Sequence, residues 1–200
     1  MGFANDADVE ELTASQPGDA SPLELADDLE AMGPTYVKLG QVLASRPDIL
    51  PLTYITALSR LHDGVKPFSF AEVEEIVTAE LGVRISKAFS HFEATPLAAA
   101  SLGQVHAATL RDGRRVVVKI QRPGIDKQIA EDMEVFAQIA EWLDNHTDFG
   151  RRYRLQSVIE EFRVVIKQEL NYELEANNLR TMAKNIAGFE RIFVPQPIAS

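Results

Sequence analysis

Apolar positions along this chain change period near its middle. From Ser21 to Leu81 they recur every three or four residues, as in helices with one buried face; after Gly82 short alternating runs take over, and beyond Ile125 the helical period returns. Local signals sharpen the boundaries. Ser21-Pro22-Leu23-Glu24 joins a capping Ser, a first-turn Pro and a Glu three residues after the cap, which predicts a helix to about Met32, stopped by Gly33-Pro34. A second helix starts at Pro34 or Thr35, is marked by Tyr36, Leu39 and Leu43, and breaks at Arg46-Pro47-Asp48. Pro51 to about His62 reads as a third. Ser69-Phe70-Ala71-Glu72 opens a fourth, with an apolar stripe of Val73, Ile76, Val77 and Leu81 and a stop at Gly82.

Ala88 to Phe92, Gln104 to Leu110 and Arg114 to Gln121 are the strand-like runs. Asp112-Gly113 signals a hairpin between the last two, since Gly tolerates the positive φ of tight turns. Ile125 to about Leu143 reads as a helix and Leu155 to about Ile186 as one long helix. Val194 to Ile198 resembles the entry to another strand, where the sequence stops; this raises the expectation of an incomplete domain. Four helices, a small antiparallel sheet and two helices predict an α+β layer arrangement.

Composition adds little to the fold but excludes several chemistries. The chain has 200 residues, 46% hydrophobic and 25% charged, ordinary for a globular protein. Cys is absent, so disulfides and thiolate chemistry are excluded. No apolar run approaches a membrane span, and no signal segment opens the chain, which predicts a cytoplasmic protein without its own anchor. The formal charge of −10 is local: nine acidic residues and no Lys or Arg lie between Met1 and Gly33, leaving 21 acidic against 20 basic residues elsewhere. Residues 1–20 read as a flexible acidic lead-in. The one tight basic cluster, Arg151, Arg152 and Arg154, is too short for phosphate-backbone binding, so nucleic acid is not an expected partner.

Four segments carry candidate chemistry. In Val116-Val117-Val118-Lys119-Ile120, strand alternation puts Lys119 and Val117 opposite Val116, Val118 and Ile120. A Lys in so apolar a strand either snorkels to solvent or meets an anion; in protein kinases a strand Lys pairs with ATP phosphates and a helix Glu. Ala98-Ala99-Ala100-Ser101 before Gly103-Gln104-Val105-His106 holds small residues that let a backbone approach a ligand. Ala nevertheless favours helix, and the run by itself reads as a close-packed helical turn. In Glu169-Leu170-Asn171-Tyr172-Glu173-Leu174-Glu175, helical spacing would align Asn171, Glu175, Asn178 and Met182, with Glu169 and Glu173 in the next row. In Lys38-Leu39-Gly40-Gln41, Lys38 and Gln41 share a helix face around a Gly that permits close packing.

Taken together and in this order, the segments resemble the UbiB-type atypical kinases, also called coenzyme Q kinase-like ATPases, over about Leu23 to Ser200. Lys38-Leu39-Gly40-Gln41 is similar to the family's Lys-x-Gly-Gln signature, followed by Ser45-Arg46-Pro47-Asp48. Ala98 to Ser101 is similar to its Ala-rich loop, and Glu169 to Asn178 to its acidic helix motif, with Asn171 at a position where the family has Asp. The resemblance implies a protein-kinase-like N-lobe over 88–200, behind a helical extension over 21–87. It implies ATP (or ADP) with Mg2+ as cofactors, the metal ligands lying mainly beyond residue 200. Lys119 would contact phosphates, with Glu175 as its first-choice partner and Glu169 its second. Ala98, Ala99, Ala100, Ser101 and Gly103 would line the nucleotide, and Lys38, Gly40 and Gln41 would face the cleft. The implied role is support of ubiquinone or related isoprenoid lipid biosynthesis, with lipid or quinone-biosynthesis proteins as partners at the inner membrane. The 200-residue chain alone is expected to be inactive. The competing reading is a non-catalytic, pseudokinase-like nucleotide sensor or scaffold.

Overall fold

A computed structural model describes residues 21–61 and 66–198. The lead-in expected over 1–20 lies outside them. The chain divides into two compact units, Met1–Leu61 and His62–Ser200.

The first unit holds α1 (Pro22–Met32), α2 (Pro34–Leu43) and α3 (Leu52–Leu58). The capping box at Ser21 forms: Ser21 Oγ accepts from the Glu24 amide at 3.1 Å and Glu24 Oε2 accepts from the Ser21 amide at 2.7 Å. Gly33, at φ 113°, lets one helix stop and the next start without an intervening loop. Ala26, Leu29, Val37, Leu58 and Leu61 form a small apolar core. The third helix ends at Leu58, short of the expected His62, yet Leu61 still turns its side chain into that core.

In the second unit, α4 (Phe70–Leu81) and the short α5 (Ile85–Ala88) lead into β1 (Phe89–Phe92), β2 (Ala98–Ala99), β3 (Gly103–Leu110) and β4 (Arg115–Gln121). All pairings are antiparallel. β4 runs along one edge of β3, while β1 and β2 follow one another along the other. The register sets two rows across the sheet. Ala98, Val105 and Lys119 stand side by side, and Ala99, Gln104 and Ile120 form the next row. Facing positions share a side of the sheet, so the rows point oppositely. The second row belongs to the core side, where Val73 and Val77 of α4 pack on Ile85, Phe89, Ala108 and Ile120. Gly113, at φ 88°, closes the β3–β4 hairpin, and its amide bonds the Leu110 carbonyl at 3.0 Å.

Four helices follow: α6 (Ile125–His146), α7 (Asp148–Tyr153), α8 (Leu155–Leu170) and α9 (Tyr172–Asn185). α6 and α8 pack through Met133, Phe136 and Ala140 against Val158, Phe162 and Ile166, with the Phe136 and Phe162 rings 6.2 Å apart. Among the described residues no helix is long and apolar enough to cross a membrane.

Several expectations are corrected. The long helix over 155–186 is two helices, because Asn171 leaves helical geometry at φ −89°, ψ 87° and its Oδ1 accepts from the Leu174 amide at 2.9 Å. Asn171 is therefore a cap and shares no helix face with Glu175. The Ala run is a short strand and turn, since pairing with β3 satisfies its backbone as a helical turn would. α6 runs three residues past Leu143, and α7 was not expected at all; Thr147 Oγ1 caps it by accepting from the Gly150 amide at 2.9 Å. Val194 to Ile198 forms no strand; Pro195 and Pro197 remove two of its ladder donors.

Candidate functional site

Lys119 lies on the side of β4 away from the core, as strand alternation requires. Its Nζ donates to Glu175 Oε2 at 2.6 Å, with the two side chains 43% and 47% exposed. The same Nζ lies 4.5 Å from the centroid of the Tyr172 ring, within cation–π range. A strand cation is thus held by the first turn of a helix 53 to 56 residues further along the chain.

The break at Asn171 arranges that turn. Tyr172 and Glu175 are three residues apart at the start of α9 and so address one side. Glu169 stays behind in the last turn of α8. Its charge is nevertheless felt: burial, then Glu175, then Glu169 push the Tyr172 phenol up to about 12. Tyr172 Oη is buried without a hydrogen-bond partner. Of the two carboxylates expected to meet Lys119, the structure brings Glu175 to it.

Ala98 to Gly103 form a tight hairpin beside this pair, the Ala100 amide bonding the Gly103 carbonyl at 2.7 Å. Ala98 stands in the Lys119 row, two strands away, which is about 10 Å. The corner residues Ser101 and Leu102 are buried, so the hairpin tip turns into the protein. Arg122 holds it there. Its amide donates to the Leu102 carbonyl at 2.9 Å and its Nε to the Ser101 carbonyl at 3.2 Å. A second guanidinium nitrogen donates to the Lys66 carbonyl at 3.1 Å, and the group lies over the Phe68 ring. Burial draws the Arg122 guanidinium down from its ordinary value while Glu72 opposes the shift; the group remains a cation.

The rest of Gly103-Gln104-Val105-His106 is structural. A side chain at Gly103 would meet the Ile120 carbonyl at 2.5 Å and Tyr172 Oη at 2.8 Å. Gln104 and His106 are fully buried. Gln104 Oε1 accepts from the Phe68 amide at 3.1 Å, and its Nε2 lies 2.9 Å from His106 Nε2. His106 Nδ1 lies 2.7 Å from the Glu93 carbonyl. The carbonyl can only accept, so Nδ1 carries the proton and Nε2 accepts from Gln104.

In the first unit, Lys38 and Gln41 are half-buried on α2. Gln41 Nε2 donates to the Leu61 carbonyl at 3.1 Å, which ties α2 to the end of the α3 segment. Gly40 is buried, and an added Cβ would come 2.3 Å from Leu61 Cδ1 and 3.0 Å from Leu29 Cδ1. Helix propensity alone favours Ala at this position, but the space its methyl would need is occupied.

Two residues of the site have no role that the sequence pattern alone assigns. Tyr172 is an aromatic three positions before Glu175, and Arg122 follows the Lys119 strand at the approach to α6; spacing marks the first, and nothing local marks the second. The assembled group can offer an anion one exposed ammonium, held by a carboxylate, beside a small-residue hairpin. Among the described residues no three His, Asp or Glu side chains gather as a metal-binding set.

The geometry agrees with similarity to known proteins. A model of the ABC1 atypical kinase-like domain matches residues 60–199. The "Probable protein kinase UbiB" of Cellvibrio japonicus is 41% identical over 167 residues, 84% of this chain and 30% of that protein. That of Shewanella frigidimarina is 41% identical over 177 residues, 88% of this chain and 32% of that protein. The chain thus spans about a third of the length of these curated relatives. A solved structure, the Rv3197–erythromycin complex from Mycobacterium tuberculosis, is 34% identical, with a TM-score of 0.56 over 80% of this chain and 41% of that one. A small antiparallel sheet with helices in a kinase-like fold, and matches of this extent, place the chain in the ABC1 atypical kinase-like family, among its UbiB-type members.

Proposed function

We propose that this chain is the phosphate-holding part of an atypical kinase or ATPase that takes ATP, or ADP, with a divalent cation. The observation that carries the reading is the 2.6 Å pair between Lys119 of β4 and Glu175 of α9, beside the Ala98–Ser101 hairpin. An exposed ammonium fixed by a carboxylate is a ready electrostatic partner for a polyphosphate. The small side chains of Ala98, Ala99 and Ala100 leave a ligand room to approach the backbone. ATP would supply the transferable phosphoryl group; Lys119 would bind and orient its phosphates, and Glu175 would hold Lys119 in place.

The family resemblance extends the proposal to biology. The intact protein would support biosynthesis of ubiquinone or a related isoprenoid lipid, working with lipid or quinone-biosynthesis proteins at a membrane. Lys38 and Gln41 would tune which phosphates are held, and nucleotide binding by Lys38→Ala and Gln41→Ala variants tests that part.

The deciding experiment is calorimetric titration of ATP and ADP, with and without Mg2+, into wild type and Lys119→Ala. Saturable binding that weakens at least tenfold in Lys119→Ala supports the proposal. Equal affinity in both proteins overturns it. Binding that depends on Lys119 without any turnover by the intact protein would assign it to nucleotide sensing instead.

A further inference from the structure

Lys119 is held from two sides, and only one of them is a charge. Glu175 Oε2 accepts from Nζ at 2.6 Å, and the Tyr172 ring lies 4.5 Å from the same atom. A carboxylate alone leaves a long, partly exposed Lys several rotamers from which to reach it. An aromatic face adds a second restraint of a different kind, because the ring quadrupole attracts the cation without donating or accepting a hydrogen bond. An incoming phosphate competes with Glu175 for the ammonium's protons but not for the ring face.

The ring is itself fixed. Its Oη is buried, has no hydrogen-bond partner, and sits against Gly103, where an added Cβ would lie 2.8 Å away. Close packing holds this hydroxyl, and the space it uses exists because residue 103 has no side chain. Gly103 also closes the Ala-rich hairpin through its carbonyl. One aromatic side chain therefore touches the hairpin's closing residue at one end and carries the strand cation on its face.

We infer that Tyr172 is a positioning residue for Lys119, its ring face holding the ammonium in register with Glu175 and with the Ala98–Gly103 hairpin. The consequence for nucleotide rests on the function proposed above; the placement of Lys119 does not. Two readouts separate them. The first is the chemical shift of the Lys119 ε-methylene protons, assigned by comparison with Lys119→Ala. Wild type shows these signals displaced upfield by the ring current, Tyr172→Phe keeps the displacement, and Tyr172→Leu loses it. The second is ATP affinity, which falls about two- to fivefold in Tyr172→Leu and recovers in Tyr172→Phe, as loss of an exposed cation–π contact implies. Undisplaced Lys119 signals in the wild-type protein overturn the inference without any Tyr172 variant having to fold. So does Tyr172→Leu with wild-type signals. Should Lys119→Ala leave ATP affinity unchanged, the nucleotide reading fails, and the ring-current result still decides the role of Tyr172.

Discussion

Arg122 Nε and the Ser101 carbonyl oxygen meet at 3.2 Å, and this bond ties the corner of the Ala-rich hairpin to the end of the Lys119 strand. Removing the guanidinium leaves the buried Ser101 carbonyl without this donor. Arg122→Ala should cost about 1.5–3 kcal/mol, the usual worth of a hydrogen bond to a charged group. Amide exchange in residues 100–103 should quicken, as read by hydrogen–deuterium exchange. Arg122→Lys should not restore protection, because a single ammonium does not span the Ser101 and Lys66 carbonyls as the planar fork does. Unchanged exchange in Arg122→Ala would show that strand pairing alone fixes the hairpin.

The Lys119–Glu175 pair is nearly half exposed on both sides, so its worth lies in placement. Glu175→Gln should change stability by no more than about 1 kcal/mol, the range of exposed ion pairs. Thermal melts and ATP titrations on the same samples separate the two effects. A large loss of stability with unchanged binding would make the pair a structural strut.

Gly103→Ala meets backbone. The added methyl would stand 2.5 Å from the Ile120 carbonyl, and a carbonyl in a paired strand does not swing aside. Overpacking of this kind costs about 1–3 kcal/mol or more. Denaturant unfolding should show that loss, and combining the change with Tyr172→Leu, which vacates the space beside Oη, should recover part of it. Full additivity of the two losses would contradict the packing described.

Gly40→Ala gives a smaller, opposed balance. Ala gains about 1 kcal/mol in helix propensity, while a Cβ 2.3 Å from Leu61 Cδ1 forces a buried methyl to move, at about 1–3 kcal/mol. The net expectation is mild destabilisation, seen as a lower melting midpoint; Leu61→Ala in the same background should convert the change into a gain.

The Tyr172 phenol is held up at about 12, so it stays protonated in the folded protein where an unfolded chain has lost its proton. Its contribution to stability is whole below about pH 10, the ordinary tyrosine value, and is lost as pH rises towards 12. An ultraviolet titration should show one of the four tyrosines ionising about two pH units above the ordinary value, and that step should vanish in Tyr172→Phe. A full complement of phenolate at pH 11 in folded protein would contradict its burial.

Much of this was legible where a signal is local. The Ser21 and Ser69 capping boxes, the Gly82 stop and the Asp112-Gly113 hairpin are short-range chemistry, and each stands where the sequence predicts it. The outward face of Lys119 followed from alternation alone. What the sequence did not disclose depends on partners far along the chain. Ala98 and Ala99 are strand rather than helix because β3 offers them backbone bonds, a tertiary fact that outweighs propensity. Arg122 acts through carbonyls at positions 66 and 101, which no window around it contains. The break at Asn171 was hidden for a different reason: apolar periodicity runs through it, and the cap bond that interrupts it is a single side-chain choice.

That interruption decides where the carboxylate points. Along α8 the buried stripe falls at Val158, Phe162 and Ile166. Carried on as one rod at about 3.6 residues per turn, the helix would bring Glu175 round to the side opposite Ile166, about half a turn away. It would then sit on the side of that rod turned away from α6. One residue of non-helical backbone at Asn171 resets the rotation, and Glu175 arrives at the sheet instead. The charge pairing of the site thus hangs on the angular phase of a helix restarted by an amide side chain, in the way that the setting of a lock depends on a notch cut some distance from the bolt.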